Sequence, residues 1–229
     1  MFKKFFAIVL TTLALTAIQG CNKESGNGEI NGKVETNIVT LVSTGDEGSV
    51  FTFRELNDSP EITLTTPQKF NTSIKPGTRL ALSYIPENGE ASQSGSIRVI
   101  SFLPCYGPTI TVGNGPSDWQ TSSVFMAAMW RSGKWLNFQM VLNIVSQARR
   151  LALVLDEATA DTSVPELHIS FSPDNSSNAL PQTAYASFDI SELWDNPRVE
   201  ALKIYFLTAD GQETSFTLQK ETNGFKPAE

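Results

Sequence analysis

The feature that most constrains the fold is an alternation of apolar and polar residues that recurs along most of the chain, with little sustained 3.6-residue periodicity. Successive side chains of a strand point to opposite faces, so period two is the mark of a half-buried strand. Leu80, Leu82 and Tyr84 alternate with Ala81, Ser83 and Ile85. Leu167, Ile169 and Phe171 alternate with His168, Ser170 and Ser172, and Ala186, Phe188 and Ile190 with Ser187 and Asp189. The chain reads as all-β.

Turn chemistry divides it in two. Runs over residues 37–44, 50–56, 61–66, 80–85 and 97–106 are separated by signals such as Gly45-Asp46-Glu47-Gly48 and Pro76-Gly77. That spacing predicts a small five-stranded barrel over residues 33–113. Residues 107–117, rich in Gly and Pro, read as the domain junction. Beyond it, 124–131 and 134–142 flank Ser132-Gly133 as a tight hairpin, and 202–207 and 215–218 flank Asp210-Gly211 as a second. With 151–155, 167–171 and 186–190 this makes about seven antiparallel strands, a β-sandwich over residues 114–229. Residues 191–195 predict one helical turn capped by Ser191.

The first 20 residues differ in kind. Lys3 and Lys4 precede an uncharged, mostly apolar stretch from residue 5 to 18. It is shorter than the roughly 20 residues that span a bilayer and fits the apolar region of a secretory signal. Ile18-Gln19-Gly20-Cys21 resembles a lipobox: a small residue precedes the cleaved bond, and a cysteine thiol takes the lipid. Cys21 is therefore the expected lipidation site and membrane anchor, residues 1–20 the signal peptide, and the polar, Gly-rich residues 21–32 a flexible tether. Asn22, rather than Asp, follows the cysteine, which points to the outer membrane and leaves its two faces open.

Charge and cysteine use exclude some classes. Losing two leader lysines takes the formal charge from −7 to −9, against nucleic acid as a partner. Apart from Cys21 the chain holds only Cys105, so no intrachain disulfide is expected, and Cys105 reads as a small buried hydrophobe.

Taken in order, the lipobox, the five-strand barrel, Trp130-Arg131-Ser132-Gly133-Lys134-Trp135-Leu136-Asn137, Pro165-Glu166-Leu167-His168 and Ser187-Phe188-Asp189-Ile190 resemble the NigD-like lipoproteins. The resemblance spans nearly the whole mature chain. It implies an OB-like barrel followed by a β-sandwich and a Gram-negative envelope location. The founding member of that family is associated with bacteriocin production or immunity.

No catalytic constellation emerges. His168, the one histidine, lies on the polar phase of a strand beside Ser170 and Ser172, with no nucleophile elbow and no assignable orienting acid, and reads as a solvent-facing or interface residue. One His and one Cys in different domains do not make the usual zinc sets, so no metal site and no cofactor are expected. Asp156, Glu157, Asp161, Asp174 and Asn175 lack calcium-loop spacing and read as solvated loop. A hydrolase assembled from scattered acids is the weakest reading.

The hairpin is more informative. With Ser132-Gly133 as its turn, Trp130 faces Trp135, Ala128 faces Asn137 and Met126 faces Gln139. Phe125, Met129, Leu136, Phe138 and Met140 then form the core face. Trp130, Trp135, Asn137 and Gln139 become a candidate binding surface, suited to a glycan or a protein hot spot, or else packed against the first domain. The leading expectation is a lipid-anchored, non-enzymatic envelope protein that binds another envelope protein or is bacteriocin-related. A glycan-binding module using the tryptophan face is the alternative.

Overall fold

A computed structural model describes residues 32–70, 73–88, 93–119, 123–144, 151–172 and 179–220, and the backbone of 224–227. The leader, Cys21, the tether, Asp174 and Asn175 lie outside the described residues. Residues 32–229 form one unit by their internal contacts.

Alternation in the first half produces a closed barrel. Its strands are β1 (Glu35–Gly45), β2 (Gly48–Phe53), β3 (Ile62–Thr66), β4 (Arg79–Pro86) and β5 (Gly95–Pro104). Their order is β1-β2-β3-β5-β4, and β4 pairs back onto β1. All contacts are antiparallel except β3 with β5. This is the OB-like arrangement, in which closure leaves few open edges. Val39, Leu41, Phe51, Leu64, Leu80, Leu82, Tyr84 and Ile97 fill the interior. Gly48 has φ +107°, and a Cβ there would meet the Thr66 carbonyl at 2.0 Å, so the tight β1–β2 turn requires glycine.

The second half forms a sandwich of a six-stranded and a three-stranded sheet. The larger sheet takes the order β14-β13-β12-β10-β9-β6, from β6 (Ile110–Gly113), β9 (Leu151–Asp156), β10 (Glu166–Phe171), β12 (Ala201–Leu207), β13 (Glu213–Gln219) and β14 (Gly224–Pro227). The smaller is β11-β8-β7, from β7 (Phe125–Ser132), β8 (Trp135–Ile144) and β11 (Leu180–Asp189). Leu136, Phe138, Leu153, Leu167, Phe171, Ala186, Phe188 and Ile204 meet between the sheets.

The barrel-plus-sandwich class follows the sequence expectation, with three refinements. The sandwich is mixed, because β10 runs parallel to β12 and β6 parallel to β9. Strand β6 lies in the stretch read as domain junction and belongs to the sandwich, so the change of domain falls between Pro104 and Ile110. The short helix α1 (Ser191–Trp194) is not capped by Ser191. Its N-cap is Ile190, and the Asp189 carboxylate accepts hydrogen bonds from the Ser191 N–H (3.0 Å) and hydroxyl (2.6 Å).

Residues 105–109 are strapped along β11 rather than left as a free linker. The Tyr106 N–H donates to Tyr185 O (2.9 Å), and the Tyr106 carbonyl accepts from the Ser187 N–H (2.9 Å). Backbone pairing therefore fixes the barrel's exit onto the sandwich.

Candidate functional site

The hairpin that carries the sequence-derived surface has a shifted turn. Ser132 pairs with Trp135, Trp130 with Asn137 and Ala128 with Gln139, so Gly133-Lys134 forms the loop. Gly133 has φ +56°, the first central position of a II′-type turn. Face parity survives the shift, and Trp130, Trp135, Asn137 and Gln139 do share one face. A bulge at Ala127 then swaps the faces at the strand's start: Met126 pairs with Met140, while Phe125, expected in the core, is 59% exposed.

That shared face is a joint with the barrel. Asn137 is 0% exposed. Its Oδ1 accepts from Arg79 Nη2 (3.1 Å) and Ser187 Oγ (2.8 Å), and its Nδ2 donates to Ser132 Oγ (2.9 Å). Arg79 comes from barrel strand β4; its Nε also donates to Ser187 Oγ (2.9 Å) and its Nη1 to Thr40 Oγ1 (2.9 Å). The guanidinium lies 4.7 Å above the Trp135 ring, and Lys134 approaches the same ring at 4.8 Å. Trp130 and Gln139 are half-buried. Of the four residues read as a candidate surface, Asn137 has its amide consumed by buried protein partners, and Trp135 carries two cations. A sugar's hydroxyls would have to displace bonds that already satisfy a buried charge, which argues against the glycan reading.

A second clamp lies beside the first. Arg131, 1% exposed, grips Asp58 of the barrel's β2–β3 loop with two bonds, 2.9 and 2.6 Å. Its guanidinium sits 4.8 Å above the Trp194 ring. Asn57, at φ +50°, pairs with Ser132: its N–H donates to Arg131 O (2.7 Å), and its carbonyl accepts from Gly133 N–H (2.6 Å). The hydrogen bond from Arg131 holds the Asp58 carboxyl below its ordinary value, although partial burial opposes this. At Asp189 burial pushes upward, but bonds from Lys134 and Ser191 outweigh it and the carboxyl stays low. These carboxylates are held ionised, the opposite of what a general acid needs. Between the clamps is a cleft of about 480 Å³ whose lining includes Arg54, Arg79, Arg131 and Lys134 as well as Asp58, Glu61 and Asp195. The Arg131–Asp58 ion pair and the hydrogen bond from Arg79 to Asn137 fasten barrel to sandwich.

Burial drives the Arg79 guanidinium down to about 10 and the neighbouring Cys105 thiol up to about 12. Arg79 stays cationic at neutral pH with neutral oxygens and an indole as partners, and Cys105 stays protonated and free.

A different surface is open. Strand β7 is an edge of the three-stranded sheet, and a groove of about 680 Å³ runs between it and the β12–β13 hairpin. Phe125, Met126, Met129, Phe206 and Phe216 are among its apolar lining, and Asp210 is its one charged residue. Sequence reasoning missed it because the Ala127 bulge turns Phe125 outward.

Comparison with family models and with curated proteins finds no match. Solved structures share the fold. A protein of unknown function from Bacteroides vulgatus matches with TM-score 0.63 at 20% identity, over 82% of this chain and 90% of that one. A NigD-like immunity protein from Bacteroides caccae matches with TM-score 0.57 at 15% identity, over 81% and 91%. A candidate lipoprotein from Bacteroides fragilis matches with TM-score 0.56 at 12% identity, over 82% and 98%. The NigD-like resemblance therefore holds at the level of fold, across both domains. No helix among the described residues is long and apolar enough to cross a membrane.

Proposed function

We propose that this chain is a lipid-anchored cell-envelope protein with a non-enzymatic binding role, attached to the outer membrane through Cys21. Its partner is another envelope protein or, by analogy with the NigD-like immunity protein, a bacteriocin. The observation that carries this reading is the apolar groove beside edge strand β7, with Phe125 59% exposed at its rim. An edge strand offers unpaired backbone groups to an extended segment of a partner, and adjacent pockets then take its alternate side chains. Met126 and Met129 add a surface that adapts to varied apolar shapes. The leader and lipobox-like Ile18–Cys21 supply the address, and the fold shared with a candidate lipoprotein agrees with it.

Two experiments test the proposal. Metabolic labelling with an alkyne fatty acid should mark the wild-type chain and not Cys21→Ser, and the wild type should fractionate with outer membranes. Co-purification from crosslinked, detergent-solubilised envelopes should yield one reproducible partner that Phe125→Asp loses. A partner set unchanged by Phe125→Asp, or no partner at all, would remove the groove as the binding surface.

A further inference from the structure

On the outer face of the larger sheet, His168 has an environment that alternation alone does not explain. Its ring is stacked between Trp119 (centroids 4.1 Å apart, planes at 8°) and Tyr205 (4.9 Å, 9°), and it is 7% exposed. Neither ring nitrogen has a hydrogen-bond partner among the described residues. A buried, unsatisfied imidazole costs free energy, and such a group calls for a missing water or ion. The two stacks cover both ring faces, leaving only the edge for polar contact.

Two carboxylates meet that edge. Antiparallel pairing of β9 with β10 sets Leu155 against Leu167, which brings Asp156 opposite Glu166, two residues before His168 on the same face. One ligand atom from each of Asp156, Glu166 and His168 lies within 4.8 Å of the others. Like charges directly opposite across a sheet repel, so their juxtaposition needs a balancing cation. Lys203 Nζ is 3.8 Å from Glu166 Oε1 and offsets part of it. Tyr205 Oη donates to Glu166 Oε1 (3.1 Å) and the Ala158 N–H to Asp156 Oδ1 (3.0 Å), orienting each carboxylate as outer partners orient metal ligands.

We propose that Asp156, Glu166 and His168 form a site for one divalent transition-metal ion, of the zinc class. The imidazole favours zinc, nickel or iron over calcium and magnesium, and carboxylates complete the set. Bonds of about 2.0–2.2 Å would draw the ligand atoms closer together than they stand. The half-buried carboxylates close that gap by rotamer change while the stacked ring stays fixed. Three protein ligands leave a position for water, so the ion is exchangeable. Counting His and Cys alone, as zinc spacing rules do, conceals such a site.

The test uses the tag-free mature chain and Zn²⁺ alone, in competition with a chromophoric chelator, with Co²⁺ in parallel to quench Trp119 emission. One equivalent should bind, and Co²⁺ should quench the fraction of emission that Trp119 contributes. Asp156→Asn, Glu166→Gln and His168→Gln should each weaken binding by roughly tenfold or more, with far-UV circular dichroism unchanged. Lys203→Met should tighten it by removing a competing ammonium. If His168→Gln loosens the stack, Glu166→Gln at the strand's start still decides the matter. The absence of saturable one-to-one binding overturns the proposal, as do Asp156→Asn and Glu166→Gln variants that bind as the wild type does.

Discussion

Removing Asn137 should cost more than removing the arginine it serves. Asn137→Ala deletes an acceptor for Arg79 Nη2 and Ser187 Oγ and a donor to Ser132 Oγ. A lost bond to a buried cation is worth about 1.5–3 kcal/mol, and the two neutral bonds about 1 kcal/mol each. The sum is roughly 3.5–5 kcal/mol, with Arg79 still charged and buried. Arg79→Met deletes the three guanidinium bonds, but it also removes the charge whose burial opposes them. The Ser187–Asn137 bond survives, and the methionine stem keeps most of the packing. The net loss should be about 1–2 kcal/mol, because replacing a buried ion by an apolar side chain of similar volume is often near neutral. Urea unfolding of the mature chain, with tryptophan emission as the signal, measures both. The double variant should fall short of additivity by about 1.5–3 kcal/mol. Equal costs for Arg79→Met and Asn137→Ala, or simple additivity of the two effects, would refute this coupling.

Three further outcomes follow from the same structure. Cys105, with its thiol pushed up to about 12, should resist maleimide at pH 8 in the native chain and react promptly in urea. Asp58 titrates below its ordinary 3.8 when folded, so its pairing stabilises above that value and is lost as pH falls through the lower folded one; Asp58→Asn should flatten that acid limb of the stability profile. Gly48→Ala must place a Cβ 2.0 Å from the Thr66 carbonyl at positive φ and should lower stability by more than about 2 kcal/mol, read from the urea midpoint.

Much of the fold is legible in the sequence because alternation reports burial directly. Leu80, Leu82 and Tyr84 of β4 and Leu167, Ile169 and Phe171 of β10 are buried as the pattern selects, while Ala81, Ile85 and His168 on the opposite phase are covered as well. Alternation does not say which strand lies alongside. The parallel pairs β3–β5, β6–β9 and β10–β12 therefore emerge only in three dimensions. A bulge costs the pattern its phase, and for that reason Phe125 is exposed where the core was expected.

The candidate site is less legible for a related reason. Asn137 and Ser187 sit on the polar phase of their strands, which reads as solvent-facing. Instead a second domain covers that face, and their polarity serves a buried arginine 58 residues from Asn137. His168 likewise looks exposed by pattern, yet Trp119, from a Gly- and Pro-rich stretch, folds over it. A sequence pattern records that a side chain is polar and is silent about whether its partner is water or protein.

The central claim, that the β7 groove receives a protein partner in the envelope, is tested most directly by site-specific photo-crosslinking in living cells. A crosslinking amino acid at position 125 or 214 on the groove, and at 61 on the barrel as control, should report the contact. The same protein adduct is expected from 125 and 214, absent from 61. Equal adducts from all three positions, or none from the groove, would contradict it.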